Sequence, residues 1–373
     1  RLGRTGLRVS PLTLGTMTWG TNWGIGSTKE EAKTIFDSYC AQGGNSIDTA
    51  NKYHEGQSEE WLGEFMEEAG NRDDLIIATK FSLPMSTSAT ASGGAGGAGE
   101  GKEEADSVAT TLSAGRTFVP ARVGNTRKNL HVSLKDSLRR LRTDYVDILY
   151  VHYWDYTADS EEVMRFLNEV VASGKVLYLG ISDAPVWAVA ECNAIARVRG
   201  WTPFSVAQYK YSLADRTIER NMLPYIRHRG GLGMINWAVL ASGKLTGKYK
   251  PGADVKDTAD SKRAASGWIT LSDHDHKVIE AVLKIAEEVG RSPSQVAISW
   301  AREQAGIASP LIGCRTLAQF EDNVKALDLR LSPEQLAALD EVSKLDDLGF
   351  PENFTGTEYE SCPWATANNT IKV

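Results

Sequence analysis

Val146-Asp-Ile-Leu-Tyr-Val-His152 is a short apolar run that ends on a histidine, and a helical spacing of apolar residues follows it at 160–173. A strand followed by a helix is one βα unit, and units of this kind repeated along a chain build a parallel sheet. Working outward, the same alternation recurs. The strand candidates are Leu12–Thr16, Asn45–Asp48, Leu75–Lys80, Val146–His152, Val176–Ser182, Phe204–Gln208, Leu232–Trp237 and Ala308–Ile312. Helical patterns follow them at 28–42, 57–69, 126–142, 160–173, 186–199, 218–229, 273–304 and 316–326. Eight units predict an α/β fold, a closed (β/α)8 or TIM barrel.

In such a barrel the active site is built from the C-terminal ends of the strands. Asp48, Lys80, His152, Ser182, Gln208 and Trp237 all fall there, with Tyr53 five residues beyond Asp48. Four of these make a proton-transfer group. A tyrosine, with a reference pKa of about 10, donates well only where a cation stabilises its phenolate. Lys80 supplies the cation and Asp48 its counter-charge, while His152 holds a substrate oxygen.

The rest of the chain narrows the partners. The 373 residues suit one catalytic domain. The net charge of -7, without a basic stripe, argues against nucleic acid and anionic membranes and for a small-molecule substrate. Cys40, Cys192, Cys314 and Cys362 are scattered, with no metal-ligand spacing, so no metal is expected and the thiols read as reduced. No run of about 18 apolar residues and no signal pattern stands in the sequence, so the expectation is a cytoplasmic protein, monomeric or homo-oligomeric.

Two stretches interrupt the βα rhythm. Residues 85–122 are rich in Ser, Thr, Ala and Gly and cannot build a core, so they read as a flexible insertion after the third strand, placed to act as a lid. Gly94, Gly96 and Gly99 within it spell G-x-G-x-x-G. Without a strand leading in and a helix directly following, that is an inserted loop rather than a phosphate-binding turn. The polar stretch 247–272 after the seventh strand is a second candidate lid.

The motifs at the strand ends resemble those of the aldo-keto reductases over nearly the whole chain. Asp48-Thr-Ala-Asn-Lys-Tyr53, Ile77-Ala-Thr-Lys80 and Asp147-Ile-Leu-Tyr-Val-His152 are similar to the family's Asp/Tyr, lysine and histidine segments. Arg4-Thr-Gly-Leu-Arg-Val-Ser10 and Leu14-Gly-Thr16 are similar to its opening β-hairpin and first strand. Leu240-Ala-Ser-Gly-Lys-Leu-Thr-Gly-Lys-Tyr249 and Ile312-Gly-Cys-Arg-Thr316 point to the longer-chain branch, which includes bacterial reductases and potassium-channel β subunits.

The resemblance implies NADPH-dependent, metal-free reduction of an aldehyde or ketone to an alcohol, or the reverse, with Tyr53 as proton donor. The alternative it leaves is a cofactor-binding regulatory subunit with little turnover. It implies cofactor contacts from Gly15, Thr16, Met17 and Asp48, from Ser182, Asp183 and Gln208 to the carboxamide, and from Trp237 stacked on the nicotinamide. Leu240, Gly243 and Lys248 (or Lys244) would meet the pyrophosphate. Gly313, Arg315, Thr316, Gln319, Asp322 and Asn323 would grip the adenosine phosphate, where the Arg315 guanidinium favours NADPH. Asp183 stands where Asn is common, and a carboxylate accepts but does not donate. Trp19, Trp23, Tyr153 and Trp154, with Tyr53 and His152, form the expected substrate side, although core packing also explains some aromatics. Phe350, Phe354 and Trp364 lie in a tail able to fold over the site, so the pocket is expected to take a bulky or aromatic carbonyl.

Overall fold

The computed structural model describes residues 1–85, 120–249, 269–345, 347 and 349. The expected strands are present as β1 (Thr13–Gly15), β2 (Ser46–Asp48), β3 (Ile76–Phe81), β4 (Val146–Val151), β5 (Val176–Ser182), β6 (Phe204–Lys210), β7 (Gly233–Trp237) and β8 (Leu311–Gly313). Every neighbouring pair is parallel, in the order β7-β6-β5-β4-β3-β2-β1-β8. The ring is completed just ahead of β8, where Met234 bridges Ile307 in parallel and the Ala308 N–H donates to the Met234 carbonyl at 2.7 Å. This is the (β/α)8 barrel that the alternation predicts.

The helices are α1 (Lys29–Ala41), α2 (Gln57–Ala69), α3 (Arg127–Arg140), α4 (Ser160–Ala172), α5 (Val186–Arg199), the short α6 (Met222–Tyr225), α7 (Asp273–Val289), α8 (Pro293–Glu303), α9 (Leu317–Val324) and α10 (Pro333–Ser343). Local chemistry starts many of them. Thr28 and Ser272 form capping boxes at α1 and α7, and Asp159 accepts from the Glu161 and Glu162 N–H groups at α4. Two expected helices are broken. The pattern over 273–304 divides where Gly290 takes a left-handed φ of 62° and Ser292-Pro293 starts a new helix. The pattern over 218–229 becomes a 3-10 turn, α6 with Pro224 inside it, and a π turn ending near Gly230.

Strand side chains alternate between two environments, as a period of two requires. Ile76 and Ala78 of β3, Ile148 and Tyr150 of β4, Val206 of β6 and Ile235 of β7 pack together inside the barrel with Leu2. Ile77, Leu149, Leu179, Ile181, Ala207 and Met234 join the core shared with the surrounding helices. Leu2 plugs the N-terminal end of the barrel. The expected N-terminal hairpin is no two-stranded ladder there but a turn, in which the Leu2 N–H donates to the Leu7 carbonyl and the Thr5 N–H to the Leu2 carbonyl. Gly3 sits so close to β7 that a Cβ would fall 2.6 Å from the Gly233 nitrogen, so the plug needs glycine.

Among the described residues no helix is long and apolar enough to cross a membrane, no cluster of His, Cys, Asp or Glu could hold a metal, and Cys40, Cys192 and Cys314 are free thiols. Most of the 85–122 insertion with its three glycines, most of 247–272, and Phe350, Phe354 and Trp364 of the tail lie outside the described residues.

Candidate active site

One step along the inward face beyond the apolar layer, the side chains become polar. Ala78 is followed by Lys80, Tyr150 by His152 and Val206 by Gln208. Lys80 and Asp48 are each 1 % exposed, and the lysine ammonium donates to the Asp48 carboxylate. Its other donors go to the Thr49 carbonyl at 2.9 Å and the Tyr53 hydroxyl oxygen at 3.2 Å. An ammonium has three N–H groups, so Lys80 is fully satisfied and one donor is aimed at the phenol. Burying such a pair is costly unless every remaining polar position is satisfied. Gln208 Nε2 accordingly donates to the second Asp48 oxygen at 2.8 Å, and the Thr16 N–H donates to the Asp48 backbone carbonyl at 2.9 Å.

Tyr53 comes from a 3-10 turn, Tyr53–Gly56, between β2 and α2. Its ring lies 5.0 Å from the Lys80 nitrogen and meets His152 edge-on, with centroids 6.0 Å apart. Tyr53 is half-buried and so reachable, whereas His152 is buried. Burial first, and the Lys80 charge second, hold the His152 pKa well below its ordinary value, which leaves a neutral imidazole. A neutral ring offers one N–H to an oxygen without competing for the proton.

The mouth on the β5–β7 side is equally ordered. Asp183, at a left-handed φ of 44°, accepts from the Trp237 indole N–H at 3.2 Å and from the Ser182 hydroxyl at 3.2 Å. The acceptor-only carboxylate that sits where an amide is common thus orients the indole. The 241–246 turn has Gly243 at φ 94°, where a Cβ would fall 2.8 Å from the Lys248 ammonium. Lys244 is committed to Asp275 at 2.9 Å, so Lys248, just past the turn, is the lysine placed toward Gly243.

A family model described as the aldo/keto reductase family matches residues 11–344. The chain belongs to that family. It is 38% identical over 356 residues to an aryl-alcohol dehydrogenase [NADP(+)] of Phanerodontia chrysosporium, covering 93% of this chain and 85% of that protein. It is 36% identical over 352 residues to a norsolorinic acid reductase of Aspergillus flavus, covering 94% and 81%. The (β/α)8 barrel is therefore that of an aldo/keto reductase, an oxidoreductase.

Not every residue expected to serve this aldo/keto reductase's site faces it. Trp19 is fully buried and packs against Phe65, and Trp154 is 4% exposed with its ring edge on Trp187, so both are walls of the core rather than surfaces for a substrate. Gly15 is buried as well, where a Cβ would strike Leu311 at 2.5 Å. On the β8 side, Asn323 is 4% exposed and donates to the Cys314 sulfur, while the Asp322 carboxylate accepts from Ser292 at 2.8 Å and Gln295 at 2.7 Å. These two hold α9 to its neighbours. An open groove of about 560 Å³ that includes Arg291, Ser292, Gln295 and Lys325 adjoins Asp322 and contains none of the tetrad. Gly313 is exposed, with open space where a Cβ would be. The half-buried Arg315 has no side-chain hydrogen bond or ion pair among the described residues, and its backbone N–H donates to Gln319. Thr316 caps α9 by accepting from the Gln319 N–H at 3.3 Å. Met17, Trp23, Tyr153 and Leu240 are half-buried.

Several supporting residues escape the reading of the sequence. Glu59, fully buried, accepts from Thr79 at 2.5 Å and from Arg140 at 2.7 Å, tying the start of α2 to the strand of Lys80 and to α3. Its signal was a charge on an apolar stripe, three and seven residues before Leu62 and Met66. Ser82 and Asn125 bond at 2.7 Å, Asn125 Nδ2 donates to the Tyr153 carbonyl, and the His152 N–H donates to the Ser82 oxygen. The segments flanking the insertion are thereby pinned beside the histidine.

Proposed function

We propose that this aldo/keto reductase reduces a bulky or aromatic aldehyde or ketone to its alcohol, reversibly, with NADP(H), within a single catalytic barrel. The observation that carries the reading is the Lys80 ammonium, with all three donors spent and one of them on the Tyr53 oxygen. That arrangement stabilises a phenolate, which is what a tyrosine acid needs.

The mouth suits a dinucleotide. The Thr16 hydroxyl at the end of β1 is a buried polar atom without a protein partner, the Trp237 indole is a held, half-buried platform, and Arg315 keeps a guanidinium uncommitted among the described residues. Ser182, Asp183, Gln208 and Trp237 would hold the nicotinamide end, Gly243 and Lys248 the pyrophosphate, and Gly313 and Arg315 the adenosine phosphate, where paired guanidinium bonds favour a 2′-phosphate. When bound, the nicotinamide supplies the hydride equivalent for the carbonyl carbon. Tyr53 gives its proton to the carbonyl oxygen, Lys80 stabilises the phenolate left behind, and Asp48 with Gln208 keeps the lysine in place. The neutral His152 donates a hydrogen bond that orients the carbonyl. In the oxidation direction the same groups act in reverse. The half-buried Trp23 and Tyr153 favour a flat apolar substrate, consistent with the aryl-alcohol and norsolorinic acid enzymes to which the chain is similar.

NADPH consumption against a panel of aromatic and aliphatic aldehydes and ketones tests the proposal. The expected result is turnover with aryl aldehydes at kcat/KM about tenfold or more above that for short aliphatic ones. NADPH binding without consumption by any carbonyl would overturn it.

A further inference from the structure

His54 adjoins Tyr53, yet proton transfer does not use it. Its side chain is fully buried while its backbone sits at φ 49°, in the left-handed region that residues other than glycine rarely adopt. The 19–26 loop wraps the imidazole closely. A Cβ on Gly20 would fall 2.3 Å from His54 Cγ, so that position needs glycine for the loop to close on the ring, while one on Gly26 would fall 2.1 Å from the Gly20 carbonyl, so the loop needs glycine there to close on itself.

Three contacts fasten that loop to His54. The Trp23 N–H donates to His54 Nδ1 at 3.3 Å, Asn22 Nδ2 donates to the His54 carbonyl at 2.8 Å, and the Trp23 indole stacks on the imidazole with centroids 4.4 Å apart and planes 22° apart. The same indole meets the edge of the Tyr53 ring at 6.4 Å and 82°. His54 therefore holds in place a half-buried aromatic ring that touches Tyr53.

We propose that His54 is a positioning residue that sets the preference for aromatic carbonyls, by latching the 19–26 loop so that Trp23 forms a fixed wall beside Tyr53. This rests on the carbonyl-reductase reading and deepens it by naming what selects the substrate class. A flat ring gains from an aromatic wall that is already held in place, whereas an aliphatic aldehyde gains little from it. Accepting at Nδ1 requires the neutral imidazole with its proton on Nε2. Burial pushes His54 down to about 4, so the ring is neutral at neutral pH, as the Trp23 N–H bond to Nδ1 requires.

The test compares 3,4-dimethoxybenzaldehyde with butanal, with NADPH at pH 7, in wild type, His54→Ala, His54→Asn and Trp23→Leu. His54→Ala should lower kcat/KM for the aryl aldehyde about tenfold, mainly through KM, and change butanal by less than about twofold. His54→Asn keeps an acceptor and tolerates the left-handed backbone, so it should recover part of the loss. In a Trp23→Leu background, His54→Ala should leave the aryl-to-butanal ratio unchanged. Amide hydrogen exchange over 19–26 should accelerate in His54→Ala. Equal losses for both aldehydes, an unchanged ratio, or unchanged exchange would overturn the latch. If wild type reduces neither aldehyde, the wider carbonyl panel decides the carbonyl-reductase reading separately. Exchange and tryptophan quenching by 3,4-dimethoxybenzaldehyde then decide the latch alone: tighter binding to wild type than to His54→Ala supports it, and equal binding rejects it.

Discussion

The two layers inside the barrel share the same strands and differ by one step of the pleat. In the lower layer Ala78, Tyr150, Val206 and Ile235 pack with Leu2 as an apolar plug. Two residues further along each strand stand Lys80, His152, Gln208 and Trp237. The lower layer is held by burial, which is tolerant of chemistry and sensitive to volume. The upper layer is held by charge-assisted hydrogen bonds, which tolerate no missing partner. Stability and chemistry are thus stacked rather than mixed, and substitutions in the two layers should fail in different ways.

Lys80→Met breaks the upper layer most severely. It leaves the Asp48 carboxylate buried with its cation gone, which should cost about 3–5 kcal/mol of stability and lower turnover roughly 10²–10⁴-fold. Ile148→Ala in the lower layer should cost a similar or smaller amount, about 2–5 kcal/mol, with kcat per folded molecule within about twofold of wild type. Urea unfolding together with active-site-normalised kinetics on the two variants checks the contrast. If Ile148→Ala loses activity as Lys80→Met does, the layers are not separable.

Acid sharpens the comparison with a smaller effect. His54 is held down to about 4 by burial, below the ordinary value of about 6.5. Between those values the unfolded chain takes up a proton that the folded one does not. Stability is therefore full above about pH 6.5 and falls as the pH drops toward 4, by about 3 kcal/mol for this residue. His152, shifted in the same direction, steepens the slope. Urea midpoints between pH 4 and 7.5 should fall less steeply in His54→Asn than in wild type, and parallel curves would contradict the assignment.

Much of this was legible in the sequence because it rests on period. Strands alternate with helices, and most of the candidate site residues stand at the ends of apolar runs, so β2 to β7 and the positions of Asp48, Lys80, His152 and Gln208 follow directly. The breaks at Gly290 and Ser292-Pro293 carried local turn signals within a longer helical spacing. Trp19 and Trp154 were not separable from Trp23, since a tryptophan reads alike whether it fills the core or lines a mouth. Asp322 is taken up by partners far off in sequence, Ser292 and Gln295, and Asn323 by the buried Cys314 sulfur, contacts that exist only in the folded chain. His54 was illegible for the same reason: its left-handed backbone, its glycine-lined slot and its stack on Trp23 exist only once the loop is folded over it.

In the proposed mechanism Tyr53 is the acid and Lys80 the group that makes it one. Tyr53→Phe removes a single oxygen and keeps the ring that packs against His152 and Trp23. Single-turnover reduction of an aryl aldehyde by this variant, measured beside NADPH titration, tests the claim most directly. A rate loss of about 10²–10⁴-fold is expected, with NADPH affinity within about twofold of wild type. A variant that turns over at the wild-type rate would contradict it.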